Sequence, residues 1–373
     1  MASQARNTLI TLNTLIILLI VGLAGFAAGA ASASDLRVVS WGGTYTRSQM
    51  LGFVLSYQDE HDRDVEVLDF DGGLREISRQ VSAYNVRWDA VDLEQLDVLR
   101  GCREGLLEPV EELELADSPD GVSAEDDFIA GALSECGVGS VVWYTVIGYN
   151  PGDFADNPPS RIEDFFNLSD YPGNRGMRRT PMGNLEWALI ADGVDADEVY
   201  DVLKTKRGQD RAFAMLDRIK PNVIWWQDGN EPVDMLRQGR VRMSTIYSGR
   251  VKWANEELDA DLDLIWSHAQ RSMQQWAIPR HSQNSDLARE FIRYATTTES
   301  IAGQIEHIPY QPARRSAEPL VPESMREYLP PNDLERDDFN VDPQWWADNF
   351  EELNARFERW IDRPTRVRYG PGR

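Results

Sequence analysis

Lysine and histidine are scarce in this chain. Only Lys204, Lys206, Lys220 and Lys252 occur, with four histidines, His61, His268, His281 and His307. The formal net charge is −24, so arginine carries nearly all the positive charge. Such a composition excludes nucleic acid as a partner, because binding it rests on phosphate neutralisation by Lys and Arg. No two histidines stand at metal-ligand spacing, and no metal site is predicted. Asp259, Asp261 and Asp263 have the alternation of a calcium loop but lack its glycine and distal glutamate, and read as a solvated acidic stretch. G-x-S-x-G, H-E-x-x-H, C-x-x-C and G-x-x-x-x-G-K-[ST] are all absent. No catalytic residue and no cofactor is therefore predicted.

Long apolar runs are equally rare. Leu15 to Ala30 is the one such stretch, preceded by Arg6 and followed by Ala31-Ser32-Ala33. That is the pattern of a signal peptide over residues 1–33, cleaved after Ala33. The alternative is an uncleaved anchor, since the run approaches the ~20 residues that span a bilayer. An exported, periplasmic protein is expected. Only two cysteines occur, Cys102 and Cys136, and an oxidising compartment predicts that they pair as a structural disulfide.

What is present suits a globular protein of two domains. The 373 residues exceed the ~250–300 at which one core usually splits, and 12 tryptophans are ample for two. From Leu36 the chain alternates strand-like and helical segments. Strands are predicted at Leu36 to Trp41, Val65 to Phe70 and Trp88 to Leu93, and helices at Thr46 to Asp59, Leu74 to Tyr84 and Glu94 to Cys102. This rhythm marks βαβ units and an α/β fold. Gly137 to Tyr149 is too long for an ordinary strand and suits a segment crossing between two lobes. Further strands are expected at Val223 to Trp226, Val241 to Tyr247 and Gln275 to Pro279. Arg314 to Asp338 reads as an irregular surface wrap, and Trp345 to Ile361 as a last amphipathic helix.

Aromatics and glycines gather at predicted strand ends, where ligands bind in open α/β sheets. Trp41 and Tyr45 flank Gly42-Gly43, and Gly72-Gly73 precede a helix N-terminus. Trp225-Trp226 and Tyr247-Ser248-Gly249-Arg250 end two later strands. Alternation should bury one of Trp225 and Trp226.

These residues carry a resemblance. S-W-G-G-T-Y (Ser40 to Tyr45), C-G-V-G-S-V-V-W (Cys136 to Trp143), Y-P-G-N-R-G (Tyr171 to Gly176), L-E-W-A-L (Leu185 to Leu189), Y-S-G-R (Tyr247 to Arg250) and W-A-I-P-R (Trp276 to Arg280) are similar, in order and spacing, to the spermidine/putrescine-binding family of bacterial ABC-importer solute-binding proteins. The resemblance implies a class II periplasmic-binding-protein fold. Each of its two lobes is a mixed, mostly parallel sheet flanked by helices, with hinge strands between. The expected lobes are 34–146 plus 276–309, and 147–275 plus 310–373. It implies a monomer that captures a small amine- or carboxylate-bearing solute, of the polyamine or γ-aminobutyrate class, and delivers it to an inner-membrane permease with its ATPase. A receptor feeding a membrane sensor, or a secreted enzyme on the same fold, are the rival readings.

The expected ligand residues are Trp41, Gly43, Tyr45, Gly73, Thr180, Trp226, Tyr247, Arg250, Gln274 and Tyr310. Where polyamine binders place acidic residues, this chain has Thr180, Gly183 and Gln274. A buried dication without carboxylates is costly. Arg250 instead suits a carboxylate, which it can grip bidentately, as in relatives that take γ-aminobutyrate. Its alternative role is a structural salt bridge.

Overall fold

The first strand shows why the sheet forms. Leu36-Arg37-Val38-Val39-Ser40 is buried at every position but Arg37, as a strand covered on both faces requires. A computed structural model describes residues 34–330 and 339–363; the expected signal segment, 1–33, lies outside the described residues. The chain divides after Asp35, and everything below concerns Leu36–Arg373. No helix among the described residues is long and apolar enough to cross a membrane.

Eight main strands share one sheet. They are β1 (Leu36–Ser40), β2 (Val65–Asp69), β3 (Ala90–Glu94), β4 (Gly137–Tyr149), β5 (Arg175–Arg178), β6 (Val223–Trp226), β7 (Met243–Tyr247) and β8 (Asp263–Ala277). Their order is β2-β1-β3-β8-β4-β7-β5-β6. β1 runs parallel to β2 and β3, and β5 runs parallel to β6 and β7. The long β8 and β4 stand antiparallel to each other and to their outer neighbours, joining the two parallel blocks. The helices that matter below are α1 (residues 43–61), α2 (Arg75–Ser82), α3 (Gln95–Arg103), α4 (Asn184–Ala191), α5 (Lys206–Ile219), α6 (Ser248–Leu258) and α7 (Pro343–Ile361). The mixed α/β architecture is the one expected.

β4 spans all of the predicted run, and every residue but Thr145 is buried. β8 is far longer than the strand expected at Gln275 to Pro279. Its buried positions include the amides of Gln270, Gln274 and Gln275, which hid it from a hydrophobic pattern. The Gln270 amide donates to Gly183 O at 2.7 Å, and that of Gln275 to Gly131 O and Ala132 O at 3.0 Å. The N–H groups of the buried Gln270 and Gln275 amides are thereby satisfied.

Cys102 and Cys136 form the expected disulfide, tying α3 to the start of β4. The stretch from Arg314 is exposed at Arg315, Glu318 to Leu320, Glu323, Ser324 and Glu327, but it is anchored by buried residues the surface-wrap reading did not foresee; its end, 331–338, lies outside the described residues. The Arg314 side chain is only 1% exposed, its Nε 2.6 Å from Asp127, with Thr296 O and Ala116 O taking two more of its N–H groups. Ala317, Val321, Met325 and Leu329 are buried behind it. Gln311 and Pro312 pair with Val142 and Val141 of β4.

The last helix, α7, buries Trp346, Leu353, Phe357 and Trp360 of the predicted stripe, while Phe350 stays half-buried under the Arg100 guanidinium. Its anchor is polar. Trp346 Nε1 donates to Glu186 of α4 at 2.6 Å, and Tyr200 and the Gly183 backbone donate to the same carboxylate. Burial pushes Glu186 up to about 7 despite these donors, and burial does the same to Asp92 and Asp97. All three folded values lie above the ~4 of an unfolded carboxyl. The folded state therefore holds more protons between about pH 4 and 7, and stability falls as pH rises through that window. Melting temperature followed from pH 5 to pH 8 should decline, and decline less in Glu186→Gln. A flat profile in the wild type would contradict this reading.

Candidate ligand-binding site

A cavity of about 270 Å³ opens at the carboxyl ends of the parallel strands of both blocks. From one side come the turn after β1 (Trp41 to Tyr45), the end of β2 (Asp69 to Asp71) and Glu94, the last residue of β3. From the other come Arg178 at the end of β5, the turn after β6 (Gln227 to Asn230), and Tyr247 with Arg250 after β7. Trp143 and Gln274 enter from the β4–β8 ladder, and Tyr310 completes the wall.

Seven of the ten expected ligand residues meet here: Trp41, Gly43, Tyr45, Tyr247, Arg250, Gln274 and Tyr310. Gly73, Thr180 and Trp226 stand outside the wall. The Gly73 N–H is turned to Asp97, at 3.2 Å. Thr180 closes a turn in which its carbonyl accepts from Asn184, and Arg178 takes the place beside the cavity. Trp226 is fully buried behind Tyr247, ring edge to face at 5.5 Å, with its Nε1 on Thr245. Trp225 points to the opposite sheet face, against Phe357 and Trp360 of α7. Neither tryptophan of the pair reaches the cavity.

The cleft is also more acidic than the sequence reading allowed. Glu94 lies in the wall, 3.0 Å from Arg178, while Asp69, Asp71 and Asp228 are exposed at the rim. The strand-end rule applied to β2 and β3 would have found Asp69, Asp71 and Glu94. Trp143 gave no such signal, because it sits in mid-strand. Burial disfavours the Arg178 cation, but the facing Glu94 more than offsets this and its pKa is raised. Arg178 also lies over the Tyr247 ring, 5.7 Å from its centre.

The aromatic wall is held from behind. The Tyr45 hydroxyl donates to buried Asp92 at 2.7 Å, and Gln49 Nε2 donates to the same oxygen at 2.6 Å. Tyr310 stands 5.9 Å from Tyr45, ring to ring, and burial pushes its hydroxyl up to about 12. Trp41 lies across Gly72, and a Cβ at Gly72 would stand 2.5 Å from the indole.

Four buried polar atoms of the wall have no partner among the described residues: Arg250 Nε, Trp41 Nε1, Trp143 Nε1 and Gln274 Oε1. Each such atom costs about 1–3 kcal/mol while unmatched. Three of these atoms are donors and one is an acceptor. Arg250 is 4% exposed and makes no ion pair among the described residues. Gly72→Ala should displace the Trp41 indole at a cost of about 1–3 kcal/mol. Ligand affinity by calorimetry should fall about tenfold or more, with the circular dichroism of the fold unchanged.

Residues 53–328 match the family described as bacterial extracellular solute-binding protein. The gamma-aminobutyric acid-binding protein of Pseudomonas aeruginosa is 35% identical over 333 residues, which are 89% of this chain and 92% of that protein. A solved GABA receptor superposes with a TM-score of 0.77 at 26% identity, covering 90% of this chain and all of its own. The PBP MotA from A. tumefaciens, solved with glucopine, shares the fold, with a TM-score of 0.79 at 24% identity over 88% of this chain and 99% of that one. The relatives are binding proteins, and the chain belongs to the bacterial extracellular solute-binding proteins.

Proposed function

We propose that this protein is the periplasmic receptor of an ABC importer for a small zwitterion of the ω-amino acid class. The observation that carries the reading is Arg250, a buried guanidinium with no counter-ion among the described residues, whose Nε is unpartnered among them in the cavity wall. A carboxylate is the group that satisfies it, in a geometry lysine cannot match. The rim carboxylates Asp69, Asp71 and Asp228 and the Trp41 ring suit an ammonium at the other end. A polyamine would set one of its ammonium groups against Arg250, like charge against like. The cavity, at about 270 Å³, lies just under the ~300–1,000 Å³ of drug-sized ligands, which favours a short molecule. The relatives that bind γ-aminobutyrate support the same class.

In this reading the signal peptide is cut after Ala33, and the monomeric receptor closes two lobes about the β4–β8 ladder. The lobes divide near residues 147 and 276; the second was expected to include 310–373, but the pairing of Gln311–Pro312 on β4 supports assigning residues 310–330 to the first. Binding shifts the population to the closed state by its greater affinity for that state. A permease with its ATPase then receives the solute. No bond is made or broken.

The test is a thermal-shift panel of γ-aminobutyrate, 5-aminovalerate, putrescine and butyrate. A ligand at 100 times its dissociation constant adds ~2.7 kcal/mol. The two amino acids should raise the melting temperature, and putrescine and butyrate should not. Arg250→Ala should weaken amino-acid binding by about 2 kcal/mol or more, ~30-fold. Binding of putrescine that survives Arg250→Ala would overturn the proposal.

A further inference from the structure

Arg250 has one polar partner among the described residues: its Nη1 donates to the Thr44 hydroxyl. The two residues come from far apart in the sheet. Thr44 lies in the first turn of α1, after β1, and Arg250 in the first turn of α6, after β7, with β3, β8 and β4 between those strands. The approach depends on the residue before Thr44. Gly43 has φ 56°, and a Cβ there would stand 3.0 Å from Arg250 Nη1 and 3.3 Å from Asn230 Nδ2. Only bare backbone leaves the guanidinium room to reach the hydroxyl.

A guanidinium is planar and offers a carboxylate two paired edges, Nη1 with Nη2 or Nε with Nη2. Nη1 is engaged by Thr44, while Nε is buried and unpartnered. We propose that Thr44 is a positioning residue, which holds Nη1 so that the Nε–Nη2 edge meets the ligand carboxylate side-on. The inference rests on the carboxylate reading of Arg250 given above. Without the hydroxyl the guanidinium is free to turn about its last torsion. In a cavity whose other uncommitted charges are carboxylates, Asp71 among them, a loose cation has competing partners. Thr44 thus sets specificity without being asked to touch the ligand.

The experiment titrates γ-aminobutyrate and 5-aminovalerate calorimetrically into the wild-type chain and into Thr44→Val, Thr44→Ser and Arg250→Ala. Valine keeps the shape and removes the hydroxyl; serine keeps the hydroxyl. Thr44→Val should bind about tenfold more weakly, as expected for one lost charge-assisted hydrogen bond, and Thr44→Ser should restore affinity to within about twofold of wild type. Melting temperatures of both variants without ligand should match the wild type, which separates positioning from a loss of fold. If Arg250→Ala abolishes binding while Thr44→Val leaves it unchanged, the positioning role is overturned and the carboxylate reading stands. Equal loss in Thr44→Val and Thr44→Ser also overturns it, because the hydroxyl is then not what matters. If Arg250→Ala binds as wild type, the carboxylate reading itself fails, and the role of Thr44 with it.

Discussion

The antiparallel ladder of β4 on β8 is the constraint on which the rest of this structure depends. It runs from Val138 opposite Trp276 to Tyr149 opposite Asp263, and both parallel blocks hydrogen-bond to it. The register shifts between Gly139 and Val142 and again between Thr145 and Ile147. Such irregularities bend a strand and raise its twist. They flank the stretch that sends Trp143 into the cavity. Since each block presents its strand ends to the same opening, turns after six different strands can meet there without any of them being long.

Electrostatics give the cavity a direction. The chain is acidic, with a net charge of −24, and the rim follows that bias through Asp69, Asp71 and Asp228. Deeper in the wall stand two guanidiniums, and they are not equivalent. Arg178 is neutralised by Glu94 at 3.0 Å and spreads over Tyr247, whereas among the described residues Arg250 meets only a hydroxyl. A buried charge left without a counter-ion is expensive. In the function proposed here, the ligand supplies that counter-ion. An anion alone would meet the acidic rim on its way in, and a cation alone would meet Arg250. A molecule with both charges, spaced to the depth of the cavity, meets each with its opposite.

The sequence made most of this fold legible where hydrophobic pattern and turn chemistry agreed. β1 to β3, β4 and the helices between them lie close to their expected places: β1 and β4 are buried on both faces and written as apolar runs, while β2 alternates and is marked by its Val65, Val67 and Leu68. β8 was largely hidden, since its buried amides satisfy loop carbonyls on Gly131, Ala132 and Gly183 rather than packing as hydrocarbon. Arg314 was misread for a related reason. A charged side chain suggests a surface, and only the fold shows that Asp127 and two carbonyls compensate its burial. At the site, strand ends were the useful signal and sequence neighbourhood was not. Trp226 ends a strand, yet its side chain falls on the buried face, while Glu94 and Asp71, at the ends of β3 and β2, line the cavity. Pairings such as Thr44 with Arg250, 206 residues apart, carry no local signature at all.

Behind the aromatic wall lies a chain of polar contacts that explains why the wall is set before a ligand arrives. Ser40 donates to Gln49, Gln49 donates to Asp92, and the Tyr45 hydroxyl donates to that same carboxylate. The Tyr45 hydroxyl is thereby spent away from the cavity, leaving its ring to form the surface. A carboxyl held at this depth is unfavourable when ionised, and burial pushes Asp92 up to about 7. The fold accepts that cost, and the return is rotational. A tyrosine fixed at both ring and hydroxyl loses little freedom on binding, so less of the binding energy is consumed in ordering the site. The unmatched atoms of Trp41, Trp143, Gln274 and Arg250 are the complement of this economy. Half of the unmatched buried polar atoms among the described residues stand in the cavity wall, while Asp92 Oδ1, Glu163 Oε2, Trp276 Nε1 and Gln304 Oε1 are unmatched elsewhere.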